Sequence, residues 1–373
     1  MYTKSYMNRK SKIILSTISV LVFLLLLTIS YLYSKLSSVF ISSHPELLPI
    51  YNQVFEKAEN ENRPVNVLIL GFGGKDHDGG FLTDVLIVLS VDKNNKKVLI
   101  TSIPRDLWVP IPVDLENKQN FKINNAFAIG GNEIFFPNKR PEFRGESGRG
   151  SLAKKVVGDV IGMPVDYFVS VDFGGFVKII DTLEGIEVNV PTTFDDYFYP
   201  VKGLENETCG YDTEQIQEFH QKYSGFELEK QFSCRYEHLH FDKGKVHMDG
   251  ETALKFVRSR HSEADGGDFA RSIRQFELLN GIMDKLVSLK ALTKPNTLID
   301  RLSESVRTDV DKKVIDELLD LKFDPEEYVV NTLNLSTDNV LDNSTSEEGQ
   351  YVLIPKAGLN NFLEIQKLIQ ENI

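Results

Sequence analysis

The sequence predicts an α/β domain, a central sheet covered by helices, standing behind one N-terminal transmembrane helix. Three observations predict it. Residues 13–34 carry no charge; three short apolar runs, "NVLIL", "VLIVLSV" and "KKVLITSIP", follow one another between turn residues; and helical and strand-like stretches alternate from there to the end of the chain. With 373 residues, 41% apolar and 26% charged, the chain is globular and long enough for one large or two ordinary domains.

The tail 1–12 contains Lys4, Arg9, Lys10 and Lys12 and no acidic residue, so the positive-inside rule leaves it in the cytoplasm. The stretch "IILSTISVLVFLLLLTISYLYS", 13–34, would form a helix about 33 Å long, enough to cross the plasma membrane once. A cleaved signal peptide is the competing reading, but the run is long for one and no alanine precedes Ala58 to build a cleavage site. An extracytoplasmic connector, 35–63, ends in the breaker-rich Asn60–Pro64, and the folded domain is expected over 64–373.

Within that domain the three apolar runs are continuous rather than alternating, which predicts strands buried on both faces, the last two joined by the turn "DKNNK". "SLAKKVVGDVIGM" places Leu152, Val156, Val157, Val160 and Ile161 on one helical face with Ser151 as its cap, and "YFVSVDFGGFVKIIDTL" reads as strand, then helix. Residues 192–242 form a less regular excursion, rich in Glu, Tyr and Phe, that holds both cysteines. In an oxidising exterior Cys209 and Cys234 are expected to bridge, closing a loop worth about 3 kcal/mol. "DFARSIRQFELLNGIMDKL" begins a helix with Asp268 as N-cap and Phe276, Leu279, Met283 and Leu286 on one face. In 291–373, "KKVIDELLDL", "EEYVVNTLNLS", "QYVLIPK" and "LNNFLEIQKLIQENI" alternate helix, strand, strand and helix, completing the same domain.

The net charge of −12 excludes a protein that coats nucleic acid, so any polyanion must be gripped locally. Arg258, Arg260, Arg271 and Arg274 crowd into one short stretch of this acidic chain. Arg271 and Arg274 lie three apart in the first turns of a helix, the wrong sign for its dipole unless an anion sits there. Planar guanidinium forks bind phosphate oxygens bidentately, so the set describes a pyrophosphate clamp; a solvated charge run is the bland alternative. The turn "LGFGGKDHDGGFLTD" fits neither nucleotide-binding glycine pattern and reads equally as a hairpin. Asp84, beside an apolar run, needs a cation, either an arginine or an oxygen-seeking metal such as Mg²⁺. Arg105 and Asp106 fall just past a buried strand, where sheet-based sites gather side chains, and Lys122 follows in "FKINNAFAIGG".

Taken together, "TDVLIVLSVD", "SIPRDLWVPIP", "KINNAFAIGG", "VDFGGFVKIIDTLEGIEV", "GETALKFVRSRH" and "DFARSIRQ", in this order across 66–286, closely resemble the LytR-CpsA-Psr family. The resemblance implies a three-layer α/β/α sandwich and a membrane-anchored, extracytoplasmic phosphotransferase. Such an enzyme moves a glycopolymer from a polyprenyl pyrophosphate donor to peptidoglycan. It further implies that Arg105, Arg258, Arg260, Arg271 and Arg274 neutralise the pyrophosphate with help from Lys122. Asp84 would hold Mg²⁺, Asp106 would orient Arg105 or take the acceptor proton, Asp268 would position an arginine, and Gln275 follows the pattern without a clear physical role. Two departures touch the metal: Gly73 stands where the family usually has Asp, and Leu82 where it often has Arg; Asp76 or Asp78 could compensate. Two other readings stay open, a non-catalytic binder or scaffold for lipid-linked glycopolymers and a hydrolase of polyprenyl pyrophosphates.

Overall fold

The computed structural model describes residues 58, 61, 63–74, 79–262, 267–290, 305–310 and 328–373. The expected membrane helix at 13–34, most of the connector, Asp76, Asp78 and "KKVIDELLDL" lie outside them, as do the side chains of Asp268 and Met283. Among the described residues no helix is long and apolar enough to cross a membrane.

A six-stranded mixed sheet organises the rest. In it β1 (Val65–Phe72) pairs antiparallel with β2 (Thr83–Asp92), and β2 pairs antiparallel with β3 (Lys97–Ser102). On the other side of β1 lies β6 (Tyr167–Asp172), parallel to it. One edge is closed by β11 (Val306–Thr308), antiparallel to β6, and the other by β12 (Val329–Asn334), parallel to β3. The turn joining β2 to β3 is the one expected at "DKNNK": Asp92 accepts the Asn95 N–H at 3.0 Å and Lys96 takes a positive φ of 51°.

Leu68, Leu70 and Phe72 of β1 share a core with Leu86 and Val88 of β2 and Leu99 of β3. Over this core lie α1 (Asn125–Gly130), α2 (Gly145–Ile161) and α7 (Leu363–Asn372), contributing Phe127, Val157 and Ile365 among others. Burial on both faces holds only in part. At the centre of β2, Leu86, Ile87 and Val88 are buried in succession, whereas β1 alternates buried residues with the half-buried Val67 and Ile69. Ser151 is not the cap of α2, which begins at Gly145 after Arg144; the polar stretch before the apolar face is itself helical. Sequence reading also passed over a hairpin of β4 (Trp108–Pro112) and β5 (Lys118–Lys122), whose prolines and charges hide the strand pattern.

A second core carries the arginine-rich segment. It joins α3 (Phe173–Thr182), α5 (Gly250–Arg258) and α6 (Gly267–Lys290) to the ribbon of β7 (Ile186–Val190) and β10 (Gly244–Met248). Asp172 caps α3 by accepting the Gly175 N–H at 2.7 Å, and Asp249 caps α5 through Thr252 at 2.8 Å. Two glycines set the packing distances: a Cβ at Gly250 would stand 2.4 Å from the Val177 carbonyl, and one at Gly281 2.5 Å from that of Glu187.

The excursion is ordered by its own ribbon, β8 (Phe194–Pro200) against β9 (Tyr236–Phe241), and by α4 (Thr213–Lys222), started by an Asp212–Gln215 capping box. Cys209 and Cys234 are bridged, with Cα atoms 5.5 Å apart. Reduction, or a double Cys→Ser change, is expected to lower the unfolding free energy by about 3 kcal/mol. Denaturant titration with and without reductant reads this, and superimposable curves would mean that the bridge constrains nothing.

Candidate active site

The sheet register gathers the candidate residues at one end of the strands. Phe72 at the end of β1 is level with Asp172 at the end of β6 and with Thr83 at the start of β2. Gly71 pairs Val85 and Phe72 pairs Thr83, so Asp84 is the extra residue of a β-bulge. A bulge re-aims the side chain it carries, and this one turns Asp84 to the rim of the sheet. There Asp84 Oδ1 pairs with Arg105 Nη1. Arg105 Nε lies 3.5 Å from Asp106 Oδ2, and Lys122 Nζ donates to Asp106 Oδ1 at 2.7 Å. Asp84, Arg105, Asp106 and Lys122 thus form one chain of alternating charge, each side chain between 19% and 32% exposed. They are shielded enough to strengthen the pairing and open enough to meet a ligand.

The backbone holds this chain of charges still. Ile123 donates to the Leu107 carbonyl at 2.7 Å and Leu353 to that of Asp106 at 2.9 Å, locking the loop after β3 between β5 and the edge of β13 (Tyr351–Pro355). Thr83 donates to Asn124 at 3.2 Å, tying the start of β2 to the Lys122 segment.

The second group arrives from across the sheet. The Arg258 guanidinium lies 4.4 Å from the centre of the Phe173 ring, just past the end of β6, and Nη1 donates to the Tyr199 hydroxyl at 3.3 Å. In the sheet β6 lies two strand spacings, about 10 Å, from β2. Burial raises the Tyr199 hydroxyl pKa against the opposing pull of Arg258, keeping Tyr199 neutral. Arg271 and Gln275 are 8% and 7% exposed.

Arg274 differs from the rest. It is 0% exposed, its guanidinium 4.8 Å from the centre of the Phe194 ring, with Nη2 donating to the Ser259 carbonyl at 2.6 Å. It lies beneath the site. Asp268 falls in the first turn of α6, which begins at Gly267, rather than on its cap.

Sequence reading missed Asp196, Tyr199 and Ser259. Asp196 is 0% exposed and accepts from Ser259 Oγ at 2.6 Å and from the N–H groups of Phe198, Arg260 and His261 at 2.9, 3.1 and 3.2 Å. Burial pushes this carboxyl up, but those four hydrogen bonds together hold it below the usual carboxylate range.

Among the described residues no three Asp, Glu, His or Cys side chains gather as metal ligands. What the rim offers is Asp84, a single part-exposed carboxylate beside cations. That fits a Mg²⁺ ion that keeps several waters and completes its shell from ligand phosphates, and not an enclosed all-protein site.

A mixed α/β fold with an arginine-rich rim at the strand ends defines a class of anion-handling proteins, and comparison with known proteins identifies the family. The model of the LytR_cpsA_psr family matches residues 36–367, and the chain belongs to that family. Among curated relatives, the Bacillus subtilis polyisoprenyl-teichoic acid–peptidoglycan teichoic acid transferase TagU is 26% identical over 321 residues, 85% of this chain and 83% of that protein. The B. subtilis transferase TagV is 27% identical over 258 residues, 68% of this chain but only about half, 52%, of that protein. The crystal structure of B. subtilis TagV superposes with a TM-score of 0.53 at 24% identity, covering 83% of this chain and 97% of that one, which places the fold.

Proposed function

We propose that this chain is a membrane-anchored, extracytoplasmic phosphotransferase that moves a glycopolymer from a polyprenyl pyrophosphate donor to peptidoglycan. The reading rests on family membership together with the Asp84–Arg105–Asp106–Lys122 chain of charges and with Arg258, which lies against Phe173 just past the end of β6. The names of the curated relatives support the same donor and acceptor classes. In this reading the uncharged segment 13–34 is the anchor, and the catalytic domain is a three-layer α/β/α sandwich.

In the reaction an acceptor hydroxyl oxygen attacks the phosphorus next to the glycan and the P–O–P bond breaks. Polyprenyl phosphate leaves with the bond's electron pair, and a glycan–phosphate–peptidoglycan diester remains. The hydroxyl proton passes to the Asp106 carboxylate and on to water. Arg105, Arg258, Arg260 and Arg271 meet the charge that builds on the leaving phosphate, and Lys122 and Asp106 keep the Arg105 fork in its plane. Asp84 would hold Mg²⁺, whose positive charge adds to that neutralisation.

Full-length protein in nanodiscs, given a polyprenyl pyrophosphate glycan and peptidoglycan fragments, is expected to yield a phosphodiester adduct by mass spectrometry. Chelation is expected to cut its rate at least about tenfold, and Mg²⁺ to restore it. Adduct formed equally fast in chelator would remove the metal, and with it the role of Asp84 as ligand. Donor binding without adduct would make the chain a binder, the reading that Gly73 favours, and release of free phosphorylated glycan would make it a hydrolase.

A further inference from the structure

The segment Arg258–His261 carries two of the arginines, and its conformation is set from below. Ser259 has φ −54° and ψ 135°, so α5 ends at Arg258. Had the helix continued, Arg258 and Arg260 would point about 200° apart, to opposite sides. Ser259 instead lies in the polyproline-II region, where successive side chains turn by about 120°, so the break takes Arg260 out of its helical direction relative to Arg258. Ending a helix leaves later N–H groups without intrahelical acceptors. Here the N–H groups of Arg260 and His261 both go to Asp196 Oδ2, which also takes the Ser259 hydroxyl.

From these contacts we propose that Asp196 is a positioning residue: its carboxylate breaks α5 after Arg258 and aims Arg258 and Arg260 together at the donor's pyrophosphate. Three of its four donors belong to the three residues that follow Arg258. From the other side Arg274 grips the Ser259 carbonyl, so this one peptide is held by a buried anion and a buried cation at once. Three residues along β8 from Asp196, Tyr199 steers Arg258. Phe226 of the disulfide-closed excursion stacks on His261, ring centres 3.9 Å apart and 12° from parallel. Burial lowers the His261 pKa and keeps that ring neutral beneath Phe226. Through this stack the excursion braces the exposed end of the arginine turn.

The inference rests on the transferase reading for what the arginines meet, and the test separates the two. Full-length protein in nanodiscs is compared as wild type, Asp196→Asn, Arg260→Ala and the double variant. Donor KM, acceptor KM, affinity for inorganic pyrophosphate and amide exchange at residues 259–261 are measured. Asp196→Asn is expected to raise donor KM about tenfold, the loss of hydrogen bonds to a charged group, while acceptor KM stays put and exchange quickens at 259–261. In the Arg260→Ala background the same change is expected to add less than about twofold, because the two act as one unit. Full multiplication of the two effects overturns the proposal, as does a fall in thermal midpoint with exchange at 259–261 unchanged. If Asp196→Asn does not fold, Ser259→Ala removes one of the donors and is expected to shift donor KM about threefold with the same non-additivity. Were wild type to form no adduct, the transferase reading would fall. Pyrophosphate affinity and exchange would still decide the role of Asp196, and both unchanged in Asp196→Asn would sink it.

Discussion

Replacing Arg105 with alanine is expected to slow transfer by about 10²–10³-fold while leaving the fold intact. The size follows from what the guanidinium does: it is a fixed donor at the place where charge develops, and removing one such donor from a preorganised site costs about that much. The sparing of the fold follows from exposure. Arg105 and Asp84 are 32% and 30% exposed, and a part-exposed ion pair is worth at most about 1 kcal/mol of stability. Arg105→Lys keeps the charge but loses the planar fork, and is expected to recover only part of the rate. Steady-state turnover beside a thermal melt reads both halves. A rate within threefold of wild type in Arg105→Ala would take Arg105 out of the machinery.

The motifs located this rim because its residues sit at element ends. Arg105 and Asp106 follow a strand whose apolar run is unbroken, and Lys122 closes a short strand beside them. That Asp106 would orient Arg105 was expected, but the sequence leaves the partner of Asp84 open between an arginine and a metal, and the Lys122–Asp106 pair is not legible in it. The Asp84 pairing depends on the bulge there, which arises where nine residues of β2, Thr83–Val91, meet eight of β1 and leaves no mark in composition. Asp196 was readable in principle. In "FDDYFYP" the aromatic Phe194 and Asp196 are two apart, so strand alternation puts a carboxylate on the same inward face as a buried ring. Irregular composition in the surrounding stretch masked that period and left the excursion without a readable role, although its Phe226 stacks on His261 of the arginine turn. Arg271 and Arg274 both fall in the early turns of α6, yet both are buried, Arg271 at 8% and Arg274 at 0% exposed. On a helix of 3.6 residues per turn, three positions amount to 300° and not a full circle, enough for the second to fall inside the core against Phe194.

That depth makes Arg274 the more severe lesion for stability. Arg274→Ala is expected to cost about 3 kcal/mol of unfolding free energy, because it orphans the buried Ser259 carbonyl and empties the space over Phe194. Activity is expected to fall with it, through the loosened Arg258–His261 turn rather than through a lost contact with the donor. Arg274→Met separates these causes: it refills most of the volume, so it is expected to recover part of the stability while leaving the Ser259 carbonyl without its donor. If Arg274 touched the pyrophosphate itself, both variants would lose donor affinity at little cost in stability, as an exposed clamp residue does. If it holds the turn from below, donor affinity should fall in step with the denaturant midpoint and recover only in part in Arg274→Met, where the Ser259 carbonyl still lacks its donor, and acceptor KM should not move in either variant. Denaturant midpoints measured beside donor titrations distinguish the two patterns. Affinity lost in both variants at an unshifted midpoint would return Arg274 to the clamp.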